Sequence, residues 1–389
     1  MSVPGSKSCS TELTGIDGTN PLGFLAALGT LVVARQAGES GACLRWERKR
    51  TWTPVLGGMT TSDGAELCKR LATALSGKPV LPEAEEKRRK AERVYAEART
   101  AVKKEMEKIK NEGIKNREDR NKAIEERVRP LEKDANSKRK DWLSVLKDAV
   151  PRPELRLGAR IDCTASEYRD HATDFIKGSD ATFREALHYL AAFGSDGCVE
   201  DEKGEIQERK IAATPFCFIR GSGNQNFLDT VCKLVGNVSV ERLSAALFEP
   251  WAYRDEGLSM RWDPVEDKRY ALMDSKPADE GALTVWMANL LAYRSLALFP
   301  CVPTRRGLGT TAWAHIENAL VFTWPLWEFE AAPDVVRTML QLRELQEPGL
   351  ERGALGARGI AAAYRARRIR FPPEGPSYKL NFSPARGLL

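Results

Sequence analysis

The sequence predicts an α+β fold: a compact mixed body with an inserted long antiparallel helical hairpin and a basic C-terminal segment. Three observations lead there. Helical and strand-like stretches follow one another without a βαβ repeat, which argues against a parallel doubly wound sheet. At residue 83 the composition changes abruptly to almost pure helix formers, and the change persists to residue 141. From about Arg352 onward the charge becomes one-sided. With 389 residues, 42% hydrophobic and 29% charged, the chain is globular in composition and long enough for about two or three domains. The divisions are 1–82, the N-terminal part of the body; 83–149, the charged hairpin insertion; 150–275, the remainder of the body; and 276–389, a C-terminal helical and mixed region with the basic tail.

The first element is a helix entered at Asn20-Pro21, a capping residue followed by proline at the first helical position. Leu22, Leu25, Leu28 and Val32 share one face, and Gly23, Ala26, Ala27 and Thr30 form a small-residue surface for a close neighbour. Strand-like pieces at 42–46 and 51–56 and a helix at 65–75 complete the first part. In the insertion, apolar residues recur at helical spacing at Ala91, Val94, Ala98, Ala101, Val102 and Ile109, break at Gly113, and resume at Ile124, Val128, Leu131, Ala135, Trp142 and Leu146. Two arms of about 30 residues would each reach roughly 45 Å, the second kinked at Pro130. Beyond Pro151, helices are expected at 181–193, 224–235, 240–247, 281–297 and 333–344, and strand-like pieces at 215–220, 260–262, 270–273 and 319–324.

Few catalytic signatures are present. Three histidines, His171, His188 and His315, stand outside any metalloprotease or nucleophile-elbow context, and no phosphate-binding P-loop or dinucleotide fingerprint occurs. The eight cysteines form no C-x-x-C pair, so they read as small buried hydrophobes rather than zinc ligands. The first apolar run follows Glu12 and Asp17 and spans only about 14 residues, short of a bilayer. A cytoplasmic protein with no cofactor and no membrane partner is expected. One constellation keeps an enzymatic alternative open: Glu167, Asp170, His171 and Asp174 share a helix face and suit a divalent metal, as in a metal-dependent nuclease. A solvated acidic face is the ordinary reading of that pattern.

Three segments have the chemistry of nucleic-acid contact. Arg220, Ser222, Asn224, Gln225 and Asn226 lie in a glycine-bearing turn before a helix, where amides meet phosphate and Asn, Gln and Arg meet base edges. Arg305 and Arg306 sit in a glycine-rich loop suited to the phosphate backbone. Arg365, Arg367, Arg368, Arg370 and Lys379 lie among Tyr364, Phe371 and Tyr378; from Arg352 on, eight basic residues face one acidic one. The plain alternatives are a capped turn, a surface loop and a surface helix. The insertion holds about 20 Lys/Arg against about 15 Asp/Glu, which suits nucleic acid or a docked protein; a helical-hairpin scaffold is the other alternative to a nuclease.

Four stretches in order carry a resemblance: Asn20-Pro21-Leu22-Gly23-Phe24-Leu25-Ala26-Ala27-Leu28-Gly29; Leu44-Arg45-Trp46 with Trp52-Thr53-Pro54-Val55-Leu56; Arg261-Trp262-Asp263-Pro264 with Arg269-Tyr270-Ala271-Leu272; and Trp324-Pro325-Leu326-Trp327. Together they resemble the large subunit of type I-G (formerly type I-U) CRISPR effector (Cascade) complexes, over most of the chain outside the insertion. The resemblance implies a non-catalytic subunit of an antiviral ribonucleoprotein that recognises the protospacer-adjacent motif in double-stranded DNA and supports R-loop formation. It implies as partners crRNA, target DNA, the backbone and crRNA-end-binding subunits, and a separate helicase-nuclease.

Overall fold

The computed structural model describes residues 9–114, 116–161, 163–199, 210–219, 226–266, 283–371 and 379–389. In chain order the body begins with β1 (Cys9–Glu12), α1 (Pro21–Gln36), β2 (Cys43–Arg48), β3 (Trp52–Met59) and α2 (Gly64–Ser76). The insertion is α3 (Pro82–Asn111), α4 (Arg117–Ala123), a π-helical turn (Ile124–Val128) and α5 (Arg129–Ala149). There follow α6 (Ala165–Lys177), α7 (Ala181–Phe193), α8 (Phe227–Gly236), α9 (Val240–Phe248), β4 (Asp255–Glu256), β5 (Leu283–Thr284) and α10 (Trp286–Ser295). The C-terminal part is β6 (Cys301–Thr304), β7 (Gly307–Thr310), β8 (Trp313–Ile316), β9 (Ala319–Trp327), α11 (Pro333–Leu340), α12 (Arg352–Gly356), β10 (Ile360–Phe371), β11 (Lys379–Phe382) and β12 (Arg386–Gly387). Helices and antiparallel sheets make an α+β body, as expected.

Helix α1 begins where the Asn20 side chain accepts the Leu22 and Gly23 amides. It is buried all round from Pro21 to Ala34, and α10 is buried almost as fully. The two pack backbone to backbone: a Cβ at Gly29 would stand 1.6 Å from the Leu291 carbonyl oxygen. A three-stranded sheet runs β1-β3-β2 and a five-stranded sheet runs β11-β10-β9-β8 with β12 also on β10, while β4–β5 and β6–β7 pair as two-stranded ribbons. An isolated bridge between Leu44 and Ala331, and the Trp327 indole donating to the Leu44 carbonyl at 2.7 Å, join the three- and five-stranded sheets.

In the insertion, Arg127 of the second arm meets Glu105 and Glu112 of the first, while Tyr95 stacks on Trp142 at 5.6 Å. As position rises on one arm it falls on the other, so the arms are antiparallel. The distal part has its own apolar cluster of Val102, Ile109, Val128 and Ala135, separate from the core of the body. At the base, Trp142 and Leu146 belong to the body core, Arg139 pairs with Glu167 at 2.9 Å, and Arg88 reaches Asp229 at 3.8 Å. The π-helical turn ends two residues before Pro130, whose missing N–H and ring disrupt the regular ladder.

Two expected strands are absent among the described residues. At 215–220 the described residues turn instead: Phe218 N–H bonds the Phe216 carbonyl, and Phe216 plugs an aromatic cluster with Trp262, Phe299, Trp313 and Phe322. At 260–262, Leu258 and Arg261 take left-handed φ of 51° and 61°, and Met260 N–H bonds the Asn289 side chain rather than a neighbouring strand. The strand expected at 270–273 lies outside the described residues. The basic segment is not a surface helix but the 12-residue strand β10. Six of the eight cysteines are buried. No described helix is long and apolar enough to cross a membrane.

Candidate nucleic-acid interface

The three basic segments read from the sequence have different fates. In the first, Arg220, Ser222, Asn224 and Gln225 lie outside the described residues. Asn226 stands at the N-terminus of α8, but its Oδ1 accepts from Arg160 Nε at 2.6 Å instead of capping the helix. Arg160, exposed and 66 positions away, had no local signal in the sequence.

The second segment is the turn of the β6–β7 ribbon. Thr304 and Gly307 pair across it, leaving Arg305 and Arg306 at the tip. The Thr304 hydroxyl donates to the Gly307 carbonyl at 2.7 Å and accepts the Arg306 amide at 3.2 Å. Gly307 takes φ 106°, where a side chain would be strained. Every residue from Val302 to Gly307 is exposed, and neither tip arginine makes an ion pair among the described residues. The ribbon is anchored at its base, where the Cys301 thiol contacts the Ala192 carbonyl and the Thr310 hydroxyl. Burial pushes that thiol up to about 11, so it stays neutral.

The third segment, β10, lies between β9 on one side and β11 with β12 on the other. Alternation sorts its side chains. Tyr364 stacks on Trp324 at 6.0 Å, and Ala366 is buried opposite Phe322. Arg365 and Arg367 take the opposite face. Arg365 donates through Nε to Thr323 Oγ1 (2.8 Å) and through its Nη groups to the carbonyls of Leu345, Glu347 and Pro348. Burial lowers its pKa, and it holds the 343–348 segment onto the sheet. Arg367 is exposed and meets Glu317 at 3.3 Å. Arg368 stands opposite Phe382, Arg370 opposite Leu380, and Lys379 opposite Phe371; Arg370 and Lys379 are exposed and Arg368 half-exposed. Beside Arg365 and Arg367 lies a crevice of about 420 Å³ that also includes Arg386. Arg386 belonged to the basic tail in sequence, but its place opposite Arg365 is made by a two-residue strand pairing that no local pattern marks.

A larger cavity of about 720 Å³ lies at the hairpin base. Its charges are mixed and largely self-compensating: Arg88 with Glu85 and Glu92, and Lys233 with Asp229. That makes it a junction more than an anion site. Burial raises the Glu92 carboxyl above its usual range.

The acidic constellation of α6 is divided among other tasks. Glu167 forms a capping box with Thr164 and an ion pair with Arg139, while His171 leans on the Phe175 ring and burial lowers its pKa. Asp174 lies 3.9 Å from Lys147. Among the described residues, no three His, Cys, Asp or Glu side chains come together as a metal site.

No family model and no curated protein matches the chain. Of the four stretches that carry the CRISPR resemblance, Arg269-Tyr270-Ala271-Leu272 lies outside the described residues; described residues of all four meet in space. Phe24 stacks on Trp46 at 5.8 Å and on Trp324 at 5.9 Å, and Trp327 meets Trp46 edge-on at 6.3 Å. The Asn20 amide donates to Asp263 at 2.9 Å. These residues therefore build the core, and the resemblance speaks to the body rather than to a binding surface.

Proposed function

We propose that the chain is a non-catalytic large subunit of a crRNA-guided antiviral surveillance complex, which recognises the protospacer-adjacent motif in double-stranded DNA and supports R-loop formation. In this reading crRNA, the backbone and crRNA-end-binding subunits and a helicase-nuclease are its partners, and it works in the cytoplasm. The observation that supports it best is the β6–β7 ribbon. A two-stranded ribbon fits the major groove, and paired arginines suit guanine edges and phosphates there. Guide pairing reads the target, so the protein needs only a short reader of this kind. Arg305 and Arg306 are exposed at the ribbon tip and make no ion pair among the described residues, whereas Arg365 is engaged by backbone carbonyls.

The test is Arg305→Ala combined with Arg306→Ala in the assembled, guide-loaded complex. Target DNA affinity is expected to fall about tenfold or more, since each bidentate contact contributes about 1–3 kcal/mol, while crRNA content and subunit stoichiometry stay unchanged. Equal affinity across a range of salt concentrations would overturn the assignment.

A further inference from the structure

The crevice beside β10 has a charge pattern that its structural tasks do not require. Pairing of β10 with β12 sets Arg365 directly opposite Arg386, and like charges opposed across a ladder cost stability. Arg367, two residues along on the same face, lines the same crevice. Glu317, the carboxylate in the lining, contacts Arg367 at the exposed rim. The carbonyls that hold Arg365 fix its guanidinium without cancelling its charge. Arg386 is exposed and makes no ion pair among the described residues. Next to these three cations, Leu350, Pro384 and Leu388 supply an apolar wall.

We infer that this crevice is a subsite for one nucleotide unit of a nucleic-acid strand. The phosphate bridges Arg386 and Arg367 above the fixed charge of Arg365, and the sugar and base lie against Leu350, Pro384 and Leu388. The inference deepens the nucleic-acid reading above and rests on it. A volume of about 420 Å³ falls within the range of small-molecule pockets and exceeds what a bare phosphate fills. The apolar wall favours an occupant with a planar or aliphatic part beside its charge.

The experiment uses the full-length chain and a fluorescent single-stranded oligonucleotide, read by anisotropy, with a nucleoside 5′-monophosphate and inorganic phosphate as competitors. The expected result is displacement by the monophosphate at lower concentration than by phosphate. Arg386→Ala should weaken oligonucleotide binding about tenfold, the size of a lost charge-assisted contact, and reduce the salt slope by about one. Arg386→Lys should restore part of the affinity. Circular dichroism of each variant checks the fold; Arg386 is exposed on the short β12, so its loss should leave the spectrum unchanged. Equal binding by wild type and Arg386→Ala overturns the subsite and leaves the nucleic-acid reading standing. Equal competition by phosphate and monophosphate overturns the nucleotide assignment in favour of a simple anion. Failure of the folded wild type to bind overturns the subsite, while the ribbon-tip variant in the assembled complex still decides the proposed function separately.

Discussion

At the scale of single residues, the charges hidden in the body do different work from those on its surface. Arg294 and Glu154 are each about 1% exposed and 3.2 Å apart; Arg152 and Glu185 complete the network, and Gln36 accepts from Arg294 at 2.6 Å. Such a network ties α1, α7 and α10 to the 152–154 turn. Removing one member leaves a buried charge uncompensated, a loss of about 3–5 kcal/mol. Glu154→Ala should therefore lower the stability of the chain by that order in urea unfolding, and a loss under about 1 kcal/mol would contradict the network's role. None of these residues stood out in the sequence, because their partners lie up to 258 positions apart. The reverse holds for Arg365. Its charge was visible in the sequence, but the carbonyls that engage it belong to a segment placed by the fold.

At the scale of elements, the contact between α1 and α10 is the most demanding. Alanine at position 29 would improve helix propensity by about 1 kcal/mol. The overlap with the Leu291 carbonyl at 1.6 Å opposes this, because backbone cannot rotate away and the helices must separate, a cost of about 1–3 kcal/mol or more. Overlap wins, so Gly29→Ala should lower the melting temperature; an increase would contradict the close packing. Most helices were legible from their periodicity and caps, and α7 occupies 181–193 as expected. The basic strand β10 was less so: alanine and arginine carry good helix propensity, and pairing with β9 and β11 overrides it. The piece at 260–262 was apolar enough for a strand but is turned by left-handed residues and a side-chain hydrogen bond, features that composition does not encode.

For the molecule as a whole, the described residues form two apolar cores of unequal size, one in the body and one in the distal hairpin. Their separation predicts that the body folds without the hairpin tip. Replacing 99–137 with a short loop should leave body stability within about 1 kcal/mol, because Tyr95, Arg139, Trp142 and their partners remain; collapse of the fold would show that the two cores are coupled. The change of composition at residue 83 announced this division, whereas the place where the arms meet the body depended on ion pairs such as Arg88–Asp229. The candidate surfaces were legible as clusters of arginine. Which arginines remain available was decided by the fold: the β6–β7 pairing leaves the ribbon tip open, while the carbonyls of Leu345, Glu347 and Pro348 engage Arg365. The most direct test of motif reading is binding of duplex DNA with a matched target and varied flanking sequence, by the guide-loaded complex with and without this subunit. The account predicts flank-dependent binding only when the subunit is present; binding that ignores both flank and subunit would contradict it.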